Sequence, residues 1–292
     1  MSGWAGRAPG LARGAPRVHN RSMRASVVAL VALASGACAE LGVVGDGTTV
    51  SVGRAADGFL VDGVELPDQG TGFVVPARWR ARGSEWGTDE LVGLVTRTAG
   101  RLAAASPGAV MRVADLSRPG GGPGPHHRSH QSGRDVDLLF FVTDAAGRPV
   151  GLEEMRHFGE DGTTVDGGPR LRFDVHRTWL MVRALLEDRE VAFDHVFIYA
   201  PLRARLLDHA RAIGEPDSLV AWAGELLSQP SDSAPHDDHM HVRIRCAASD
   251  ATCEDVTLPR IKKPAPVVPA ELAAALAARP IVGAPWLHGP RW

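Results

Sequence analysis

An α+β fold, a small central antiparallel sheet flanked by helices, is what this sequence predicts, and three observations predict it. Apolar, β-prone runs stand at Asp135–Val142 and His239–Arg245; helical periodicity marks Asp89–Ala105, Phe173–Asp188, Leu202–Ile213 and Ser218–Ser228; and glycine breaks residues 40–85 into short strands and turns. With 44% hydrophobic and 5% aromatic residues, the composition is that of a folded domain. A formal charge of −2 and the absence of a basic stripe exclude nucleic acid as a partner.

The first element is an export signal. Val27–Ala34 is apolar, follows Arg7, Arg13, Arg17, Arg21 and Arg24 without an intervening acid, and ends in Ser35-Gly-Ala-Cys-Ala-Glu40. That is the three-part layout of a secretory leader, and its apolar part is too short to span a bilayer. The organisation expected is a signal over 1–39, a catalytic domain over 40–258 and a Pro/Ala-rich tail over 259–292, with Met23 as an alternative start. The chain is therefore expected in the periplasm or cell envelope. Three cysteines in an exported protein leave one with another fate. The economical assignment is lipid anchoring at Cys38 and a Cys246–Cys253 disulfide; soluble secretion after cleavage near Ala37 or Ala39 is the alternative.

Asp89–Ala105 reads as a helix with Leu91, Leu94, Val95 and Leu102 on one side and Pro107-Gly108 as its stop. Val110–Leu116 is strand-like and feeds the loop 118–125. Its Gly120-Gly-Gly-Pro-Gly124 lacks the Gly-Lys-Ser/Thr ending of a phosphate cradle and reads as a groove wall. Phe173–Asp188 is a second helix, with Asp174 at its N-cap and Trp179 in the core, and Val191–Ala200 a strand. Leu202–Ile213 and Ser218–Ser228 are further helices. In the tail, Ala270–Ala278 has short helical character, and Trp286 and Trp292 read as packing residues. Ser117 and Ser129 have no nucleophile-elbow context.

Five of the twelve histidines lie in two short segments, His127-Arg-Ser-His130 and His236-Asp-Asp-His239-Met-His241. A catalytic zinc takes three protein ligands and a water, and His130, Asp137 and His241 match that count. His239 and His241 are two residues apart, so on a strand they share a face, as do Asp135 and Asp137. Spacing leaves both aspartates open as the carboxylate ligand. No His-Glu-x-x-His helix is present, so the base comes from elsewhere.

The segments Ser117-Arg-Pro-Gly-Gly-Gly122, His127–Asp137, Phe173-Asp-Val-His-Arg-Thr-Trp179 and Pro235–Arg243 resemble the penicillin-insensitive murein endopeptidases. Those are periplasmic zinc peptidases related to the lysostaphin, D-alanyl-D-alanine carboxypeptidase and hedgehog group. Ser51-Val-Gly53, Leu66-Pro67 and Trp86-Gly-Thr-Asp-Glu-Leu91 extend the similarity over roughly residues 50–246. The resemblance implies Zn²⁺ on His130, Asp137 and His241, with His239, His236 and His127 as catalytic or supporting imidazoles. Asp135 then becomes a groove or supporting residue. Pro125-His126 and Arg128 depart from the small residues expected there, which bears on the groove wall and not on the ligands.

The implied substrate is the D-alanyl cross-link between peptidoglycan stem peptides, cut by a metal-activated water with His239 as base. In the alternative, His239 only orients His241. Asp237 and Asp238 can hold imidazoles in one tautomer, and His236 or His127, if donating, can stabilise the oxyanion. A D,D-carboxypeptidase on unlinked stems and a non-catalytic zinc-binding envelope protein are the other readings. With no serine nucleophile to acylate, insensitivity to penicillin is expected.

Overall fold

The computed structural model describes residues 47–231 and 233–255. The leader with Cys38, the tail with Ala270–Ala278, and Trp286 and Trp292 lie outside the described residues. Among the described residues no helix is long and apolar enough to cross a membrane.

The chain opens with small strand pairs. β1 (Val50–Arg54) and β2 (Asp57–Val61) form a hairpin; β3 (Val64–Glu65) pairs with β6 (Trp86–Gly87); β5 (Phe73–Val74) pairs with β4 (Gln69–Gly70) and with β7 (Met111–Arg112). Between them sit the single turn α1 (Ala77–Arg80) and the long helix α2 (Asp89–Ala105). β8 (Asp135–Leu139) is followed by β9 (Val142–Thr143), β10 (Pro149–Val150) and β11 (Arg172–Phe173), which make a three-stranded sheet. Then come α3 (Val175–Leu186), β12 (Phe193–Phe197), α4 (Ala200–Ala212), α5 (Asp217–Leu226), β13 (Leu227–Ser228) and β14 (His239–Ile244). This is a mixed α and β fold.

Helix boundaries follow local chemistry. The Thr88 hydroxyl accepts from the Leu91 amide at 3.3 Å, and Asp89 and Glu90 complement the positive end of α2. Leu91, Leu94, Val95 and Leu102 are buried as expected, each contributing about 2 kcal/mol of apolar burial. Asp174 caps α3 by accepting from the Arg177 amide at 2.9 Å, and Trp179 is fully buried with its Nε1 donating to Glu215. Two boundaries differ from expectation. Phe173 belongs to β11, because the backbone enters α3 only after its cap, and Val110–Leu116 forms only a two-residue strand before turning toward β8.

The central sheet runs β13-β12-β14-β8. β8, β14 and β12 are antiparallel, but β13 is parallel to β12, so the expected all-antiparallel sheet is corrected at that edge. The reason is the connection: α4 and α5 carry the chain back across the sheet, and such a crossover delivers a parallel strand. In β8 and β14 one face holds Val136, Leu138, Met240, Val242 and Ile244, all buried. α2 packs on α3, α3 on α4, and α4 on α5, which meets β12 and β13. The polar residues of both strands are left on the other face.

Two clamps bind this sheet to its surroundings. The buried Arg134 guanidinium donates to Ser51 Oγ, the Ile244 carbonyl and Asp255, joining β1 to the segment beyond β14. That segment is closed by the expected Cys246–Cys253 disulfide.

Candidate metal centre

The site arises from register. β14 pairs with β8 so that His241 stands opposite Asp137 and Arg243 opposite Asp135. Directly opposed side chains approach within about 5 Å, and a slip of one residue would send the whole polar set into the apolar core. His130 arrives from the loop before β8. Its backbone has φ 66°, a left-handed conformation that costs a non-glycine residue about 1 kcal/mol or more, and is held by its amide donating to Asp135 Oδ2 at 3.0 Å. His236 is likewise left-handed, at φ 57°.

His130 donates from Nδ1 to the Leu116 carbonyl at 2.9 Å, which turns its Nε2 toward the sheet. His241 donates from Nε2 to Asp135 at 3.1 Å, which turns its Nδ1 toward the same point. His130 Nε2, His241 Nδ1 and Asp137 Oδ1 are then separated by 3.2, 3.3 and 2.9 Å. Three acceptor atoms at such distances repel unless a positive charge lies among them. Asp137 Oδ2 is buried without a hydrogen-bond partner. Asp135 is saturated instead, by Arg243 at 2.6 Å, His241 and the His130 amide.

The remaining predicted imidazoles gather around this point. His239 Nε2 is 3.4 Å from Asp137 Oδ1, while its Nδ1 donates to Asp238 at 2.6 Å. Burial opposes charge on His239, but Asp137 and Asp238 outweigh it and push the imidazole up to about 10. His236 donates from Nδ1 to the Ala234 carbonyl at 2.9 Å, and burial beside His239 and His241 pushes it down to about 4. His127 Nε2 lies 2.8 Å from Asp115 and 3.7 Å from Asp137 Oδ2. Burial disfavours the ionised carboxylates, yet His239 and His130 at Asp137, and Arg243 and His241 at Asp135, hold both well below their ordinary range. The sets His127, His130, Asp137 and His236, His239, His241 can each hold a metal ion.

Several contributors were missed in the sequence. Asp115, fully buried, receives Ser84, Arg82 and His127; its signal was a lone acid inside the apolar run Val110–Leu116. Arg243, alternating with Val242 and Ile244 on β14, donates to Asp135 across the strand pair, a contact its local spacing does not announce. His195 is stacked on Phe197 with ring centroids 3.8 Å apart and lies beside His241. His157 donates from Nδ1 to Asp237 at 2.9 Å, tying the excursion between β10 and β11 to the β14 approach. Nothing local to His157 announces that contact.

Known proteins resemble this chain over most of its length. A family model described as Penicillin-insensitive murein endopeptidase matches residues 51–264, which include every residue of the site. The chain is 24% identical over 220 residues to the penicillin-insensitive murein endopeptidase of Escherichia coli O9:H4 (strain HS), covering 73% of this chain and 72% of that protein. The proteins of that name from Klebsiella pneumoniae (strain 342), at 25%, and Shigella boydii serotype 18 (strain CDC 3083-94 / BS512), at 24%, are covered to the same extent. Because the matched span covers well over half of the chain, the chain belongs to the penicillin-insensitive murein endopeptidase family.

Proposed function

We propose that this protein is an exported zinc peptidase that hydrolyses the D-alanyl cross-link between peptidoglycan stem peptides. The observation that carries the reading is the convergence of His130 Nε2, His241 Nδ1 and Asp137 Oδ1. Zinc bonds of 2.0–2.2 Å in a tetrahedral array place ligand atoms about 3.3 Å apart, and here they are 2.9 to 3.3 Å apart. Asp137, with its unpartnered Oδ2, is the carboxylate ligand; the saturated Asp135 orients His241. Bound there, zinc supplies a water acidic enough to attack at neutral pH and polarises the scissile carbonyl.

His239 moves the proton. Its Nδ1 hydrogen is committed to Asp238, so Nε2 accepts from the attacking water and returns the proton to the leaving amine. A cation on Asp137 spends that carboxylate's charge, which lowers the His239 imidazole toward the range a base requires. His236, neutral and donating from Nδ1 to a carbonyl, presents its Nε2 as an acceptor. His127 Nε2 is engaged by Asp115, so a hydrogen bond from His127 to the oxyanion would have to come from its Nδ1. The Val27–Ala34 leader supports export to the periplasm or envelope, with Cys38 as a lipid anchor.

The test is incubation of residues 40–292 with cross-linked muropeptide dimers, with and without a chelator, followed by mass spectrometry. Chelator-sensitive conversion of dimers to monomers is expected. Intact dimers with a zinc-loaded preparation would refute the reading, and trimming of free pentapeptides instead would convert it to a carboxypeptidase.

A further inference from the structure

We infer that Arg118 forms a carboxylate-binding subsite beside the metal centre, so that the peptide cleaved carries a free carboxylate next to its scissile amide. This rests on the peptidase reading above. A cavity of about 260 Å³ adjoins the site, lined by Arg82, Asp115, Arg118, Gly122, His127 and His130 among others. It shares the imidazoles of His127 and His130 with the candidate centre.

The two guanidiniums in its wall differ. Arg82 is answered by Asp115, whose carboxylate also takes Ser84 and His127. Arg118 is exposed and reaches only the Pro123 carbonyl, at 3.5 Å; among the described residues no carboxylate pairs with it. The charge balance of the cavity therefore leaves one forked cation unanswered. A guanidinium fork matches the two oxygens of a carboxylate, which is how arginine selects such ligands. The loop that carries Arg118 is bare: a Cβ added at Gly120, Gly122 or Gly124 would meet nothing within 4 Å. The wall thus leaves room for a peptide to lie along it. In a cross-link made through a diamino acid, the carbon that bears the scissile nitrogen can also bear a carboxylate. Arg118 would bind it on the leaving-amine side.

Two readouts on the zinc-loaded protein test this. Monomeric tetrapeptide stems, with that carboxylate free or amidated, are titrated calorimetrically, and the matching cross-linked dimers are assayed for cleavage. The free form is expected to bind about tenfold or more tighter than the amidated form, as a charged hydrogen-bonded pair implies. Arg118→Gln should reduce that preference below about threefold, through KM on the dimers, and Arg118→Lys should restore part of it. Equal binding of both forms by the unsubstituted protein, or an unchanged preference in Arg118→Gln, overturns the inference. Arg118-dependent binding of the free form without cleavage of any dimer upholds the subsite and refutes the peptidase reading instead.

Discussion

His241 stands directly across the β8–β14 pair from Asp137, its Nδ1 2.9 Å from the carboxylate Oδ1, while its Nε2 is taken by Asp135 at 3.1 Å. One imidazole thus faces two aspartates of the same strand face, donating to Asp135 from one nitrogen and turning the other toward Asp137. The arrangement separates a binding carboxylate from an orienting one, and it makes the two substitutions distinguishable.

Asp137→Asn is expected to lose bound metal on dialysis and all turnover. Asp135→Asn weakens the support of His241, Arg243 and the His130 amide but removes no ligand, so metal affinity should fall about 10–100-fold while a site remains. Metal content by mass spectrometry across a chelator titration separates the two. Equal loss in both variants would place Asp135 among the ligands.

His239→Ala should retain its metal and lose about 100-fold or more in kcat, because the proton acceptor is gone and the ligands are not. Parallel loss of metal and activity would make His239 an orienting residue or a ligand.

His130 carries φ 66°, so the choice of replacement matters. Both His130→Gly and His130→Ala abolish metal binding, but glycine adopts this conformation freely and alanine does not. With chelator present, the glycine variant should be more stable than the alanine variant by about 1 kcal/mol in urea unfolding. The reverse order would show that the loop relaxes when the imidazole is removed.

Asp188 joins α2 to the end of α3 by accepting from Arg97 at 2.7 Å and Arg101 at 3.0 Å. Burial raises its pKa, but the two arginines outweigh that and hold the carboxyl below its ordinary 3.8. A carboxyl depressed in the folded state contributes stability above its unfolded value, and the contribution disappears as pH falls through the folded one. Asp188→Asn should therefore cost about 2 kcal/mol at neutral pH, with the difference from the unsubstituted protein shrinking below pH 3.8. A difference independent of pH would point to packing instead of charge.

Local signals were readable in the sequence and long-range ones were not. Asp89–Ala105 could be delimited because its apolar spacing and Pro107-Gly108 both act within a few residues of the helix. The face-sharing of His239 with His241, and of Asp135 with Asp137, followed from strand periodicity. What periodicity omits is register between strands more than a hundred residues apart, and register alone decides which aspartate meets which imidazole. Arg243 could not be separated from a solvated arginine without knowing that Asp135 lay opposite. The parallel edge at β13 was hidden for a related reason: its direction depends on where α4 and α5 return the chain.

The pairing of β8 with β14 also governs when this protein is dangerous. The residues it unites stand about a hundred positions apart, with α3, β12, α4 and α5 between them in the chain. Neither His127–Asp137 nor His236–His241 alone supplies the full set of His130, Asp137 and His241. A chain still being synthesised therefore lacks the complete site, and a hydrolase built this way needs no separate inhibitor until its last strand has zipped into the sheet.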